Sequence, residues 1–364
     1  MALLGFAAAA GGQTAVRVAV RGAYASPKSF WAQGARLDEY GINAIFVHSG
    51  AVTADLLSRA REEGALVFAE FATLNGKGYV ENHPEAWPVN ERGEKSPQAT
   101  WFLGVCPTDP GFRQYRMEQL RRLLESAPIA GLWMDYFHWH AQFEDPSPIL
   151  PETCFNESCL QRFRTDTGIQ LPAGSPAETA PLILARHERA WRDWRCSILL
   201  EWAREIRKTL AAKQPHALLG LYHCPWNDVE YDGARRRILG LDLEKLAPLI
   251  DVFSPMVYHG RMGRSPQWVG EYAGWLCDRV GIRAGRVERQ GATVRLNVTP
   301  QVWPIVQAHN DPGVISAREF ETVLRLVASS QCTGVMMFTL GAVAEDPAKL
   351  GLLKRIYSEW SGPK

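Results

Sequence analysis

The chain has 364 residues, with 40 Lys plus Arg against 39 Asp plus Glu and a formal net charge of +1. That balance builds no field for nucleic acid or an anionic membrane. With 46% hydrophobic residues it can bury a large core, and no apolar run reaches the roughly 20 residues that span a bilayer.

Residues 1–15, MALLGFAAAAGGQTA, join a short apolar run to small residues of the kind found near a signal cleavage site, but lack the basic start. They read as a tail or the remnant of an export signal, and a periplasmic or extracellular location is expected. From 16 to 364, short apolar runs alternate with helix-period segments. Strands are expected at Val16–Val20, Ala44–His48, Leu66–Phe71, Gly131–Tyr136, Leu218–Tyr222, Val252–Tyr258, Val294–Val298 and Gly334–Thr339. Helices are expected at Lys28–Tyr40, Thr53–Glu63, Gly111–Glu125, Ala185–Lys213, Asp242–Leu249, Gln267–Val280, Ala317–Ala328 and Pro347–Trp360, several opened by a Ser-Pro or Asp-Pro pair. This alternation predicts a single-domain α/β protein, a (β/α)8 TIM barrel. No glycine-rich phosphate fingerprint follows the first strand, which disfavours a doubly wound dinucleotide-binding sheet. No cofactor is expected.

Two connections are too long for turns. Ala72 to Pro107 follows strand three and carries Tyr79, His83, Trp87, Trp101 and Phe102; His138 to about Pro181 follows strand four. Long connections in a compact domain usually serve function. Both leave the C-terminal ends of strands, so both should wall the mouth where barrel enzymes keep their chemistry.

The most informative stretch is GLWMDYFHWH, Gly131 to His140. Asp135 ends an apolar run there, and a charge at such a place is costly unless solvated or paired. Glycoside cleavage needs two carboxyl groups, one protonated and one ionised. Asp135 is the first candidate, as nucleophile or charge stabiliser. Glu70, inside LVFAEFATL, and Glu230, in WNDVEYDG, are the candidates for acid/base, burial being able to raise the pKa of Glu70. Arg21, His48, Trp101, His138, Tyr222, Trp226, Asp228, Tyr258, His259 and Trp303 are the expected substrate-binding residues: hydrogen-bonders for hydroxyls and flat indoles for sugar faces. Strands six and seven end without an acid, which disfavours a glutamate nucleophile after strand seven. A chitinase-like pattern would need Glu where Phe137 stands.

Seven cysteines leave at least one thiol outside any internal pairing. Cys196, Cys277 and Cys332 read as core. Cys154 and Cys159, in the polar PETCFNESC, are expected to form a local disulfide in an exported protein. A zinc site is less well supported, because no second Cys pair of matching spacing exists.

The run CPTDPGFRQYRMEQLRRLLESAPIAGLWMDYFHWH resembles the signature of glycosyl-hydrolase-like family ten and its relatives. Pro110, Arg113 and Tyr115 match the helix part of that signature, and Gly131, Asp135 and Tyr136 its strand. Arg21-Gly22 fits the opening of the same group and DVFSPMVYH its sixth strand, while the Cys-bearing loop is similar to other hypothetical glycosyl-hydrolase families. Trp133 departs from the His common in the group. The resemblance implies a TIM-barrel glycosidase acting on bacterial or plant polysaccharide, gives a role to Asp135 and leaves its partner open. A non-catalytic glycan-binding barrel is one rival. The other is a metal-dependent hydrolase using His48, His138, His140, His223 and His259, although strand one lacks the usual His-x-His.

Overall fold

The computed structural model describes residues 18–281, 287–291 and 293–361, so the expected tail at 1–15 lies outside the described residues. Apolar runs rich in Val, Ile, Leu and Phe form six parallel strands: β1 (Val20–Tyr24), β2 (Ala44–His48), β3 (Leu66–Ala72), β4 (Gly131–Asp135), β5 (Leu218–His223) and β6 (Val252–Val257). An antiparallel hairpin, β7 (Val287–Gln290) and β8 (Thr293–Leu296), stands apart. The seventh stave is two short pieces, β9 (Gln301–Val302) and β10 (Ile305–Gln307), and β11 (Gly334–Phe338) is the eighth. β6 pairs with both β9 and β10, β10 with β11, and β11 with β1, so the sheet closes into a (β/α)8 barrel.

Two strands differ from expectation. The first runs Val20–Tyr24 where Val16–Val20 is expected, Val16 and Arg17 lying outside the described residues. The run at Val294–Val298 belongs to the hairpin, and Ile305–Gln307 takes the barrel position in its place. The remaining strands agree with the expected runs to within a residue. The connection after β4 holds two helices, Glu157–Thr167 and Pro176–Arg186, ahead of the 26-residue helix Glu188–Lys213. Among the described residues no helix is long and apolar enough to cross a membrane.

Side chains alternate along a strand, and the inward set here is unusually aromatic. Phe46 stacks on Phe68 (4.6 Å between centroids), Trp133 meets both edge-on, and Trp303 stacks on Trp133 at 5.6 Å. The indole N–H groups donate to Ser254 Oγ (2.9 Å) and Thr333 Oγ1 (3.0 Å). Glycines on the neighbouring strands make the room: a Cβ on Gly220 would lie 2.1 Å from Trp133, and one on Gly334 2.8 Å from Trp303. Large and small residues thus complement one another across the barrel and plug it below the mouth.

Candidate active site

The alternation that points Phe68 and Trp133 inward also points Glu70 and Asp135 inward, one layer nearer the mouth. The backbone register sets Ala72 opposite Asp135 and His48 opposite Glu70. The Tyr24 hydroxyl donates to Glu70 Oε2, and the Glu70 and Asp135 carboxyls lie within hydrogen-bonding reach of each other. Tyr136 N–H donates to Asp135 Oδ1 (2.8 Å). Tyr136 adopts φ 49°, uncommon without glycine. Its ring lies parallel to Phe102, 5.1 Å away.

Burial raises the pKa of Glu70, opposed by the Tyr24 hydrogen bond and the nearby His48. Burial, and then the charge of Glu70, hold Asp135 well above the ordinary carboxylate range against the Tyr136 N–H. The pair therefore favours retaining a proton between its members. Burial, reinforced by these carboxylates, also pushes the Tyr24 and Tyr222 phenols up, so both remain hydroxyl donors.

A narrow cleft lies beside Asp135, walled by Trp101, Tyr136, His138, Glu144 and Met256. Trp101 is 41% exposed, with the Arg261 guanidinium 5.5 Å from its ring. Arg261 joins Glu144 (3.0 Å) to Asp311 (2.7 Å). Burial raises the Glu144 pKa, and Arg261 partly offsets that. His138 Nδ1 lies 2.7 Å from the Trp139 carbonyl, which can only accept, so the proton sits on Nδ1 and Nε2 is an acceptor. Burial lowers the His138 pKa to about 4, keeping the ring neutral.

The expected site residues divide. Asp135, Trp101 and His138 line the cleft. Glu70 lies behind Asp135. Tyr222 and Tyr258 are buried among the rings around the pair, Tyr222 edge-on to Tyr24 and Tyr258 beside Phe338. His48 ends β2 exposed, its Nδ1 accepting Gly50 N–H. His259 is buried with neither ring nitrogen hydrogen-bonded to a described residue.

Five expectations need correction. Arg21 sits near the start of β1, donating to the Gly41 and Val18 carbonyls at the far end of the barrel from the mouth. Trp303 precedes β10 and belongs to the plug, a consequence of the misplaced seventh strand. Trp226 is buried against Tyr231 and Phe143, a packing side chain rather than an open platform. Asp228 is held by Arg235 and Arg279. Glu230 uses both oxygens, one for Arg264 (2.6 Å) and one for Asn227 N–H (2.7 Å); the carboxyl that shares the cleft with Asp135 is Glu144.

Glu144 went unrecognised because QFEDPSP has only the look of a polar loop. His140 clasps the strand-three loop, accepting Gly104 N–H (3.0 Å) and reaching the Pro97 carbonyl (2.9 Å). The histidine metal site of the rival reading has no counterpart: among the described residues, the one group of His, Cys, Asp or Glu able to share an ion is Cys106, Cys154 and Cys159.

No family model matches the chain, and no curated protein does. Solved structures match its fold. The glycoside hydrolase domain of PgaB (BpsB) from Bordetella bronchiseptica superposes with TM-score 0.62 at 14% identity, over 92% of this chain and 98% of that one. A β-galactosidase from Bacillus circulans gives 0.66 at 14% identity over 96% of this chain, and one from the Antarctic haloarchaeon Halorubrum lacusprofundi gives 0.64 at 12% over 95%. This chain spans 56–58% of the length of those two β-galactosidases. The likeness is to the barrels of glycoside hydrolases as a class.

Proposed function

We propose that the chain hydrolyses glycosidic bonds of an oligo- or polysaccharide at the cleft beside Asp135. The observation that carries this reading is the buried, adjacent carboxyls of Asp135 and Glu70, with Asp135 on the wall of an aromatic-lined cleft that also holds Glu144. Asp135 and Glu70 are too close to flank a scissile bond, which requires about 5 Å or more between the two carboxyl groups. They serve as one acid, with Asp135 facing the substrate and Glu70 positioning its proton. Glu144, beside Arg261, is the base or nucleophile. In the reaction the proton of Asp135 passes to the leaving oxygen as the anomeric C–O bond breaks. The new bond comes from water activated by Glu144, or from Glu144 itself and then water. The open indole of Trp101 suits the apolar face of a sugar ring, and His138 Nε2 suits a hydroxyl donor. The glycoside hydrolase barrels that share the fold support the reaction class.

A screen of aryl glycosides and polysaccharides with wild type, Asp135→Asn and Glu144→Gln tests this. Asp135→Asn should lose about 100-fold or more on substrates with poor leaving groups and far less on activated aryl glycosides, which need no proton. Glu144→Gln should lose activity on both. A wild-type chain that binds oligosaccharides yet cleaves none would instead be a glycan-binding barrel.

A further inference from the structure

Three cysteines from two separate loops converge beneath the mouth. Cys106 closes the connection after β3, just ahead of the helix Pro110–Ser126; Cys154 and Cys159 lie in the connection after β4, with Cys159 in the first turn of the helix Glu157–Thr167. All three are fully buried, and their sulfurs lie within 4.8 Å of one another. The expected Cys154–Cys159 disulfide is not formed, and every cysteine is a free thiol. Cys159 instead turns its sulfur to Cys106, 3.1 Å away and 53 positions distant in the chain. That separation is why spacing alone concealed the third member. The Thr108 hydroxyl completes the group, 3.1 Å from the Cys106 sulfur and 3.0 Å from that of Cys159.

We propose that Cys106, Cys154 and Cys159 bind one structural zinc ion, with an oxygen donor on the Thr108 side as the fourth ligand. Tetrahedral zinc with Zn–S bonds of about 2.3 Å places its sulfurs about 3.8 Å apart, between the 3.1 Å that separates Cys106 from Cys159 and the 4.8 Å within which all three sulfurs lie. Three thiolates around Zn²⁺ leave one net negative charge, which buried surroundings penalise unless it is compensated. Arg195 supplies part of that compensation: its side chain is fully buried, paired with Glu152 (3.8 Å), and its charge also acts on Cys159 and Cys154. Val89 N–H points at the Cys154 sulfur (3.4 Å), the kind of outer-shell donor that orients a thiolate ligand.

The ion would rivet together the two loops that wall the cleft. They already touch through Phe155 N–H to the Val89 carbonyl (2.8 Å), the Asn90–Thr153 bridge and Asn156 Nδ2 to the Glu85 carbonyl (3.3 Å). With the His140 clasp on Gly104 and Pro97, these bonds join segments that carry Trp101 on one side and Glu144 on the other.

The test uses the full-length chain, purified under reducing conditions with zinc present and then dialysed. Elemental analysis should find about one zinc per chain. Cobalt added to the metal-stripped chain should give the intense thiolate-to-cobalt charge-transfer band and the visible bands of a tetrahedral site. Cys159→Ser should lower zinc content to about a tenth or less, while Cys196→Ser, a buried cysteine outside the cluster, should keep it. If Cys159→Ser does not fold, the wild-type cobalt titration decides alone. Substoichiometric zinc together with no charge-transfer band overturns the proposal. So does a chain two hydrogens lighter, with two of these three cysteines joined in a disulfide.

Discussion

Asp135 is placed against the interest of the fold. Its carboxyl, raised by burial and by Glu70, is a group whose protonated form is favoured in the native state. Such a group weakens the fold as pH rises from its ordinary value through its raised one, because the native state then holds a proton that the unfolded chain has released. Replacing Asp135 by Asn removes that penalty. The variant should therefore melt at a higher temperature than wild type at pH 8, with the gap closing toward pH 4, while its turnover collapses. A lower melting temperature across that range in thermal denaturation would mean that Asp135 serves the structure instead. Glu70→Gln acts through the same coupling. Without the neighbouring charge Asp135 releases its proton more readily, so the basic limb of the kcat/KM profile should move to lower pH; an unmoved limb would separate Glu70 from the proton. At this scale the sequence was legible where local pattern marks the residue. Asp135 stands out as a charge ending GLWM, and Glu70 as a charge inside an apolar strand. Glu144 carries no such mark, since its environment is created by Arg261, 117 positions away.

Strands were legible where an apolar run is bounded by polar residues, as in AIFVH and LVFAEFA. They were misread where two runs compete. VAVRGAY, from Val18, offers the same alternation over a longer stretch than the strand uses, and only pairing with β2 and β11 sets the frame. TVRLNV has the better strand pattern near the seventh position, yet the barrel uses a three-residue piece after Pro304, because β6 and β11 supply its partners. The plug offers a direct test at the scale of one strand. In Gly220→Ala the new methyl meets the Trp133 ring, which is itself wedged between Phe46, Phe68 and Trp303. The indole has no free direction, so the change should cost about 1–3 kcal/mol or more in chemical denaturation. Gly274→Ala, on a helix with open space beside its Cα, is the control and should be neutral or slightly stabilising. Equal behaviour of the two would show that the barrel interior yields.

Across the whole molecule, buried neutral imidazoles set the response to acid. Burial lowers His138 and His140 to about 4 and His223 to about 3. A depressed histidine contributes its full stability above its unfolded pKa of about 6.5, and that contribution drains away as pH falls toward the folded value, on the order of 3 kcal/mol each. The Asp135–Glu70 pair works in the opposite sense, so the histidines must outweigh it for acid to unfold the chain. Urea midpoints should fall steeply between pH 6.5 and 4, and His140→Gln, which removes one titrating ring, should flatten that fall. The eightfold repeat that defines the barrel was legible in the sequence as a whole, whereas the meeting of Cys106 with Cys154 and Cys159 was not, because it depends on two loops returning to the same corner.

The plug also makes the barrel visible to light. Trp133 and Trp303 lie 5.6 Å apart with planes 20° from parallel, one on the fourth stave and the other just ahead of the second segment of the seventh. Two indoles so close couple their excited states, and the coupling vanishes once the staves separate. A paired positive and negative band in the circular dichroism of the indole transitions should therefore accompany barrel closure and be absent in Trp303→Phe. Stopped-flow detection of that signal would time the joining of distant parts of the chain separately from the formation of its helices.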